Sequence, residues 1–152
     1  MATTPEPHWL STQQQRVWRS WLLGAARIKD YLDRDLHTFG LDLGEYEILV
    51  CLSESGDWAL RMSELADLVH QSRSRLTHAI SRMEERGMVE RRSASNDRRG
   101  VYAQLTQAGF QVLVSAAPSH VAAVRRIFVD AADPDDFAAL GRAMTAVLSV
   151  AD

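Results

Sequence analysis

One cysteine, one lysine and four prolines in 152 residues already narrow what this chain can be. A single thiol, Cys51, cannot close an internal disulfide, which suits a reducing compartment and a cytoplasmic location. No apolar run approaches the roughly 20 residues of a membrane span. The opening stretch, Met1 to Pro7, lacks a basic region followed by an apolar one, so no secretory signal is expected. Glycine-rich phosphate loops are absent. The five histidines, at 8, 37, 70, 78 and 120, fall in no H-E-x-x-H or related spacing. Glu84 and Glu85 are adjacent and therefore do not face one another on a helix. An enzyme, a metal site, a cofactor and a membrane partner are all unexpected on these grounds.

What is present is arginine, unevenly placed. The net charge is −3, which alone argues against nucleic acid. Between Arg73 and Arg99, however, eight arginines stand against four acids, a local +4 that leaves −7 for the rest of the chain. A basic segment on an acidic body concentrates phosphate attraction at one surface. Lys29 is the only lysine among seventeen basic residues, and arginine is the side chain suited to forked contacts with phosphate and guanine.

The segment from Gln71 to Thr106 organises the chain. Ser72 is a good N-cap for a helix, and Leu76, Ala79, Ile80 and Met83 recur at helical spacing as one apolar stripe. Gly87 stands where a left-handed residue ends a helix, with Met83 and Met88 placed as the apolar pair of a Schellman ending. Opposite the stripe lie Ser74, His78, Ser81 and Glu85, flanked by Arg75, Thr77 and Arg82. Hydroxyls, an imidazole and guanidinium groups are donors and acceptors that read base edges and phosphates. Glu85 would repel phosphate, so the first turns are expected to enter a groove and the last to leave it. Next come a strand over Met88–Arg92, a polar loop over Ser93–Gly100 and a strand over Val101–Leu105. At the loop tip Arg98 or Arg99 can reach a narrow minor groove, where the potential is most negative. A short helix, a capped second helix with a polar face, glycine, strand, basic loop and strand together follow winged helix-turn-helix order.

Around this segment the pattern is helical. A long helix is expected from about Ser11 to His37, with Val17, Trp18, Trp21, Leu22, Ala25, Ile28, Leu32 and Leu36 at three- and four-residue steps. A second spans Leu43–Glu54, with Tyr46, Leu49, Val50 and Leu52 inward, and places Cys51 as a buried, inert thiol. Trp58–Arg61 suggests a short strand. Met62–Val69 reads as the supporting helix, capped by Ser63. Thr106 caps a helix from Gln107 in which Pro118 predicts a kink or break near Ala117. Asp133 and Pro134 start a last helix. The fold class is mainly α, α+β only through the small wing. Residues 1–38 form an N-terminal arm and helix, 39–106 the DNA-binding lobe and 107–152 the C-terminal helices. The terminal helices carry more apolar stripe than one small lobe can cover, which argues for a partner chain.

From Leu41 to Gly109 the chain resembles the MarR family of bacterial transcriptional regulators. The matching residues are Ser63–Ala66, Ser72–Thr77, Ile80–Val89, Asp97–Arg99 and Leu105–Gly109. The resemblance implies a homodimer interlocked through its terminal helices, with two reading helices spaced to engage a palindromic duplex as a repressor. It implies DNA contacts by Ser72, Arg73, Ser74, Arg75, Thr77, His78 and Arg82, of which Arg73 and Arg82 suit phosphates, and by Arg98 and Arg99. Asp97 is implied to pair with one wing arginine as a structural residue. Family members commonly respond to a small aromatic or anionic ligand, for which Arg16, Trp18, Arg19, Trp21, His37 and Tyr46 are the candidate liners here. A redox- or metal-responsive regulator of the same fold, and a DNA-binding protein without an effector, are the alternatives.

Overall fold

The computed structural model describes residues 7–94 and 97–151, with side chains throughout except at 94 and 97–99. The elements run in the order α1 (Thr12–His37), α2 (Leu43–Glu54), β1 (Ala59–Arg61), α3 (Met62–Leu68), α4 (Arg73–Glu85), β2 (Val89–Ala94), β3 (Asp97–Leu105), α5 (Gln107–Val124) and α6 (Pro134–Leu148). A π-helical turn at Arg125–Val129 continues α5. The expected class holds: mainly helical, with one small antiparallel sheet.

Local chemistry sets most of the starts. Ser11 and Asp42 each cap with a reciprocal box, to Gln14 and Glu45 respectively. Ser72, Thr106 and Asp133 accept from backbone N–H groups of α4, α5 and α6, and Pro134 occupies the first turn of α6. Helix α3 is the exception and corrects the expected Ser63 cap. Its N-cap is Arg61, with no side-chain bond, and Ser63 lies inside the first turn. The reason is that β1 runs directly into α3, so the Arg61 backbone makes the turn while it is still paired to Tyr102.

The sheet has the order β1-β3-β2, with Leu60 opposite Ala103 and Arg91 opposite the same residue on the other side. The wing hairpin is longer than the expected eight-residue loop over Ser93–Gly100. Ser93 pairs with Val101 and Ala94 with Asp97 across an irregularity in the register. The extra residues of the 97–100 segment are thus absorbed by a bulge rather than by an open loop.

Of the expected kink or break near Ala117, the break does not occur: α5 is continuous through Pro118, and a π turn follows at its end. Packing outweighs the lost N–H bond here: Leu113, Ala116 and Ala123 are buried on its inner face. With its extension this helical stretch, Gln107–Val129, is long and apolar enough by length and composition alone to cross a membrane, although Gln111, Ser115, Ser119, His120 and Arg125 interrupt any continuous apolar run.

The core lies between α2, α4 and the base of the sheet. Leu36, Ile48, Leu49, Leu52, Leu65, Leu76, Ile80, Met83 and Val89 are fully enclosed there. Its outline thins towards both ends of the chain. Only Leu32 and Leu36 are buried in α1, and no residue of α6 is. Val17, Trp18, Trp21, Leu22, Val121, Val147 and Leu148 leave large apolar side chains exposed.

Candidate nucleic-acid interface

Helix α4 follows its sequence closely. Ser72 Oγ accepts the Arg75 N–H at 3.3 Å. The four stripe residues are the four buried ones. At the other end Gly87 adopts φ 74°. The Met88 N–H donates to the Met83 carbonyl at 3.0 Å and the Gly87 N–H to the Glu84 carbonyl at 2.9 Å, the two bonds of a Schellman ending. Both methionines are buried. A helix so fixed at both ends presents one face outward without choice.

The two halves of that face differ. In the N-terminal half, Arg73, Ser74, Arg75 and His78 are exposed, and among the described residues their side chains have no hydrogen-bond or ion-pair partner. The Thr77 and Ser81 hydroxyls donate back to the carbonyls of Arg73 and Thr77 at 2.8 and 3.0 Å. The C-terminal half is tied down. Glu45, only 5% exposed, lies 2.7 Å from the Arg86 guanidinium and 3.5 Å from that of Arg82. Arg86 also donates to the Gly40 carbonyl, joining the α1–α2 turn to the end of α4. Arg82, a phosphate candidate, is 54% exposed and also lies within 3.5 Å of Glu45 and 3.9 Å of Asp42.

Arg91, on β2, was not singled out by its sequence. Its backbone N–H and guanidinium both donate to the Glu84 carboxylate, at 2.9 and 2.6 Å. Its second amino group donates to the Thr77 carbonyl at 3.0 Å and to Ser81 Oγ at 2.8 Å. These bonds hold the Glu84 carboxyl below the usual carboxylate range, the Arg91 N–H contributing most. The signal in the sequence, an acid in the last turn of a helix and an arginine in the following strand, is too common to stand out.

Between α4, the start of α3 and the wing runs a cleft of about 340 Å³ bordered by Arg61, Ser63, Arg73, Thr77 and Gly100. The Arg61 Nε–H donates to the Tyr102 hydroxyl at 2.9 Å. The expectations for Asp97, Arg98 and Arg99 concern side chains outside the described residues.

The six ligand candidates are not gathered in one place. His37 borders a polar cleft of about 530 Å³ that also reaches Arg75 and His78. Tyr46 borders a separate, more apolar one of about 360 Å³ with Val50, Cys51, Leu68 and His120. Arg16, Trp18, Arg19 and Trp21 lie on the exposed half of α1. Near the apolar cleft the Tyr46 and His120 rings sit 4.2 Å apart. Burial pushes the Tyr46 phenol and the Cys51 thiol up and the His120 imidazole down. Cys51 is half-buried rather than enclosed as expected. Its raised thiol is the opposite of the thiolate that redox sensing uses. Among the described residues no group of three or more His, Cys, Asp or Glu is placed to hold a metal ion.

Comparison with known proteins places these features. A model of the MarR family matches residues 41–101. Two solved structures from Streptomyces coelicolor are similar over nearly their whole length. AbsC, a MarR family transcriptional regulator, is 42% identical with TM-score 0.87, and the match covers 93% of this chain and 96% of that one. Sco3205, a MarR family transcriptional regulator solved in complex with DNA, is also 42% identical, with TM-score 0.90 and coverage of 95% and 91%. The HTH-type transcriptional regulator MhqR of Bacillus subtilis (strain 168) is 27% identical over 97 residues, which span 64% of this chain and 66% of that relative, just under two thirds of its length.

Proposed function

Given that this chain belongs to the MarR family, we propose that it is a transcriptional regulator that binds a palindromic duplex as a homodimer and acts as a repressor. One observation carries the reading: the N-terminal half of α4 presents Arg73, Ser74, Arg75 and His78 to solvent with no partner among the described residues. Guanidinium groups on the open face of a rigid helix are the equipment for guanine edges and phosphates in a major groove. Arg98 and Arg99 of the wing are the candidates for the minor groove. Sco3205, similar throughout, was solved with DNA, which supports this assignment.

Dimerisation rests on the apolar surface left open along α1, α5 and α6, where Trp18 and Trp21 are 53% and 40% exposed. Covering that surface with a second copy would bring two α4 helices to one duplex face, as a palindrome requires. Action in the cytoplasm, with no membrane partner and no catalysis, goes with this role. A small aromatic or anionic effector is the remaining component, and the cleft beside Tyr46 and His120, the more apolar of the two that ligand candidates border, is the place for it.

The experiment is selection of bound fragments from random duplex DNA by the full chain, with the mass of the selected complex measured. An inverted repeat held by two chains is the expected product. A sequence-random pool, or a complex containing one chain, would overturn the proposal.

A further inference from the structure

Among the described residues Glu84 and Arg91 make the polar connection between the reading helix and the stem of the wing, and it is unusually complete. Four hydrogen bonds of 2.6–3.0 Å leave Arg91 for α4, two to the Glu84 carboxylate and two to Thr77 and Ser81. The Arg91 guanidinium is the less exposed partner, at 29% against 37% for Glu84. It lies along the helix rather than away from it. We propose that Arg91 is a positioning residue: latched to Glu84, it fixes the angle between α4 and the β2–β3 hairpin and so sets which phosphates and which minor-groove step the wing reaches once α4 is seated.

The physical argument is one of freedom removed. Downstream of Met88 the hairpin is bound to the lobe by the Thr106 hydroxyl, which donates to the Gly87 and Met88 carbonyls at 2.7 and 3.0 Å at its base, and by the β1–β3 pairing. Those contacts hold the root. Arg91 lies two residues up β2 from Val89 and ties the stem to the middle of α4, at Thr77 and Ser81. A hinge at the root swings the tip through the largest arc, so the contact higher on the stem governs where the tip points. Ordering this angle before binding removes an entropic cost from the complex. The same bonds occupy Ser81 Oγ and the Thr77 carbonyl, which turns those groups away from base reading and leaves it to Ser74, Arg75 and His78.

The inference rests on the DNA-binding reading above, and charge makes it separable. A guanidinium beside DNA could also serve as a plain phosphate contact. On that view Glu84→Ala removes an acid from a phosphate-facing surface and tightens binding, and Arg91→Lys, which keeps the charge, binds nearly as wild type. A latch predicts the reverse. Glu84→Ala weakens binding to the selected site by roughly tenfold despite the lost negative charge, and Arg91→Lys behaves like Arg91→Ala because an ammonium cannot make the forked set. The double variant is then no weaker than either single one, the mark of two residues acting as a unit. Hydroxyl-radical footprinting of the Glu84→Ala complex retains protection by α4 and loses it at the wing. Glu84→Gln, which keeps an acceptor for the Arg91 N–H, gives an intermediate loss should the alanine variant fold poorly. Tighter binding by Glu84→Ala or Glu84→Gln, or wild-type binding by Arg91→Lys, overturns the latch while leaving the DNA-binding reading intact. A wild-type chain that binds no duplex overturns that reading itself.

Discussion

Glu45 is the buried acid on which the lobe depends, and replacing it tests how. Its Oε2 accepts the Asp42 N–H at 3.3 Å as half of the α2 capping box, and its Oε1 meets Arg86 at 2.7 Å. Glutamine at this position keeps the cap, since Gln serves at N3 as Glu does, and loses only the charge. Removing one partner of a buried pair commonly costs about 3–5 kcal/mol because the survivor is left uncompensated, whereas an exposed pair is worth about 0–1 kcal/mol. The survivors of Glu45→Gln are Arg86 and Arg82, 40% and 54% exposed, which water can reach. A loss of about 1–2 kcal/mol is therefore expected, between the two limits. Arg86→Ala is the harsher change. It leaves a carboxylate whose side chain is only 6% exposed with Arg82, 3.5 Å away, as its remaining cationic partner among the described residues, and also frees the Gly40 carbonyl, so about 3 kcal/mol is expected. Urea unfolding at matched chain concentration measures both, the matching being needed because association adds to apparent stability. In thermal scans the Glu45→Gln loss corresponds to roughly 2–8 °C at this chain length. Glu45→Gln costing as much as Arg86→Ala, or leaving stability unchanged, would refute the argument that solvent access to the surviving partner decides the cost.

Three further substitutions probe other parts of the account. Arg75→Ala is expected to cost about 1–3 kcal/mol on the selected site and relax its sequence preference; an equal loss on random DNA, read by fluorescence anisotropy, reduces Arg75 to a phosphate contact. Gly109→Ala places a Cβ against the Met88 carbonyl oxygen and 2.9 Å from Leu105 Cδ1, an overpacking expected to cost about 1–3 kcal/mol, and unaltered urea unfolding would show that α5 can shift off the wing base freely. Burial holds the His120 imidazole below its ordinary value against the opposing pull of Asp35. The unfolded chain therefore takes up the proton first as pH falls below about 6.5, and stability declines from there downward. His120→Phe flattens that part of the profile, and an identical slope in both proteins would remove His120 from it.

Legibility in the sequence followed the range of the interactions concerned. Ser72, the stripe from Leu76 to Met83 and Gly87 are local signals within one helix, and α4 matched them residue by residue. The same holds for the α2 boundaries and for Asp133–Pro134. Where tertiary packing overrides a local rule, the sequence misleads. Pro118 is carried through α5 by the buried Leu113, Ala116 and Ala123 on its inner face. Ser63 loses its cap because β1 supplies the turn. The wing residues 97–100 look like a loop yet pair as strand around a bulge. Least visible were the ion pairs that join distant segments. Glu45 and Arg82 are 37 positions apart, and no periodicity in α2 announces that it will turn a carboxylate inward. That contact draws the expected phosphate residue Arg82 towards acids, and the Arg91 latch bears on Thr77 and Ser81 in the same way. The open residues at the start of α4, by contrast, were all readable, because exposure on a helix is settled by the stripe on its other side.

The most direct test of the central claim is the salt dependence of binding to a selected palindromic duplex by the intact chain. If the open arginines of α4, together with Arg98 and Arg99, meet phosphates from two copies, affinity falls by about 10³–10⁵-fold between 50 and 200 mM salt, as for about 6–10 phosphate contacts. A flat dependence, or no affinity for duplex at low salt, would contradict the account.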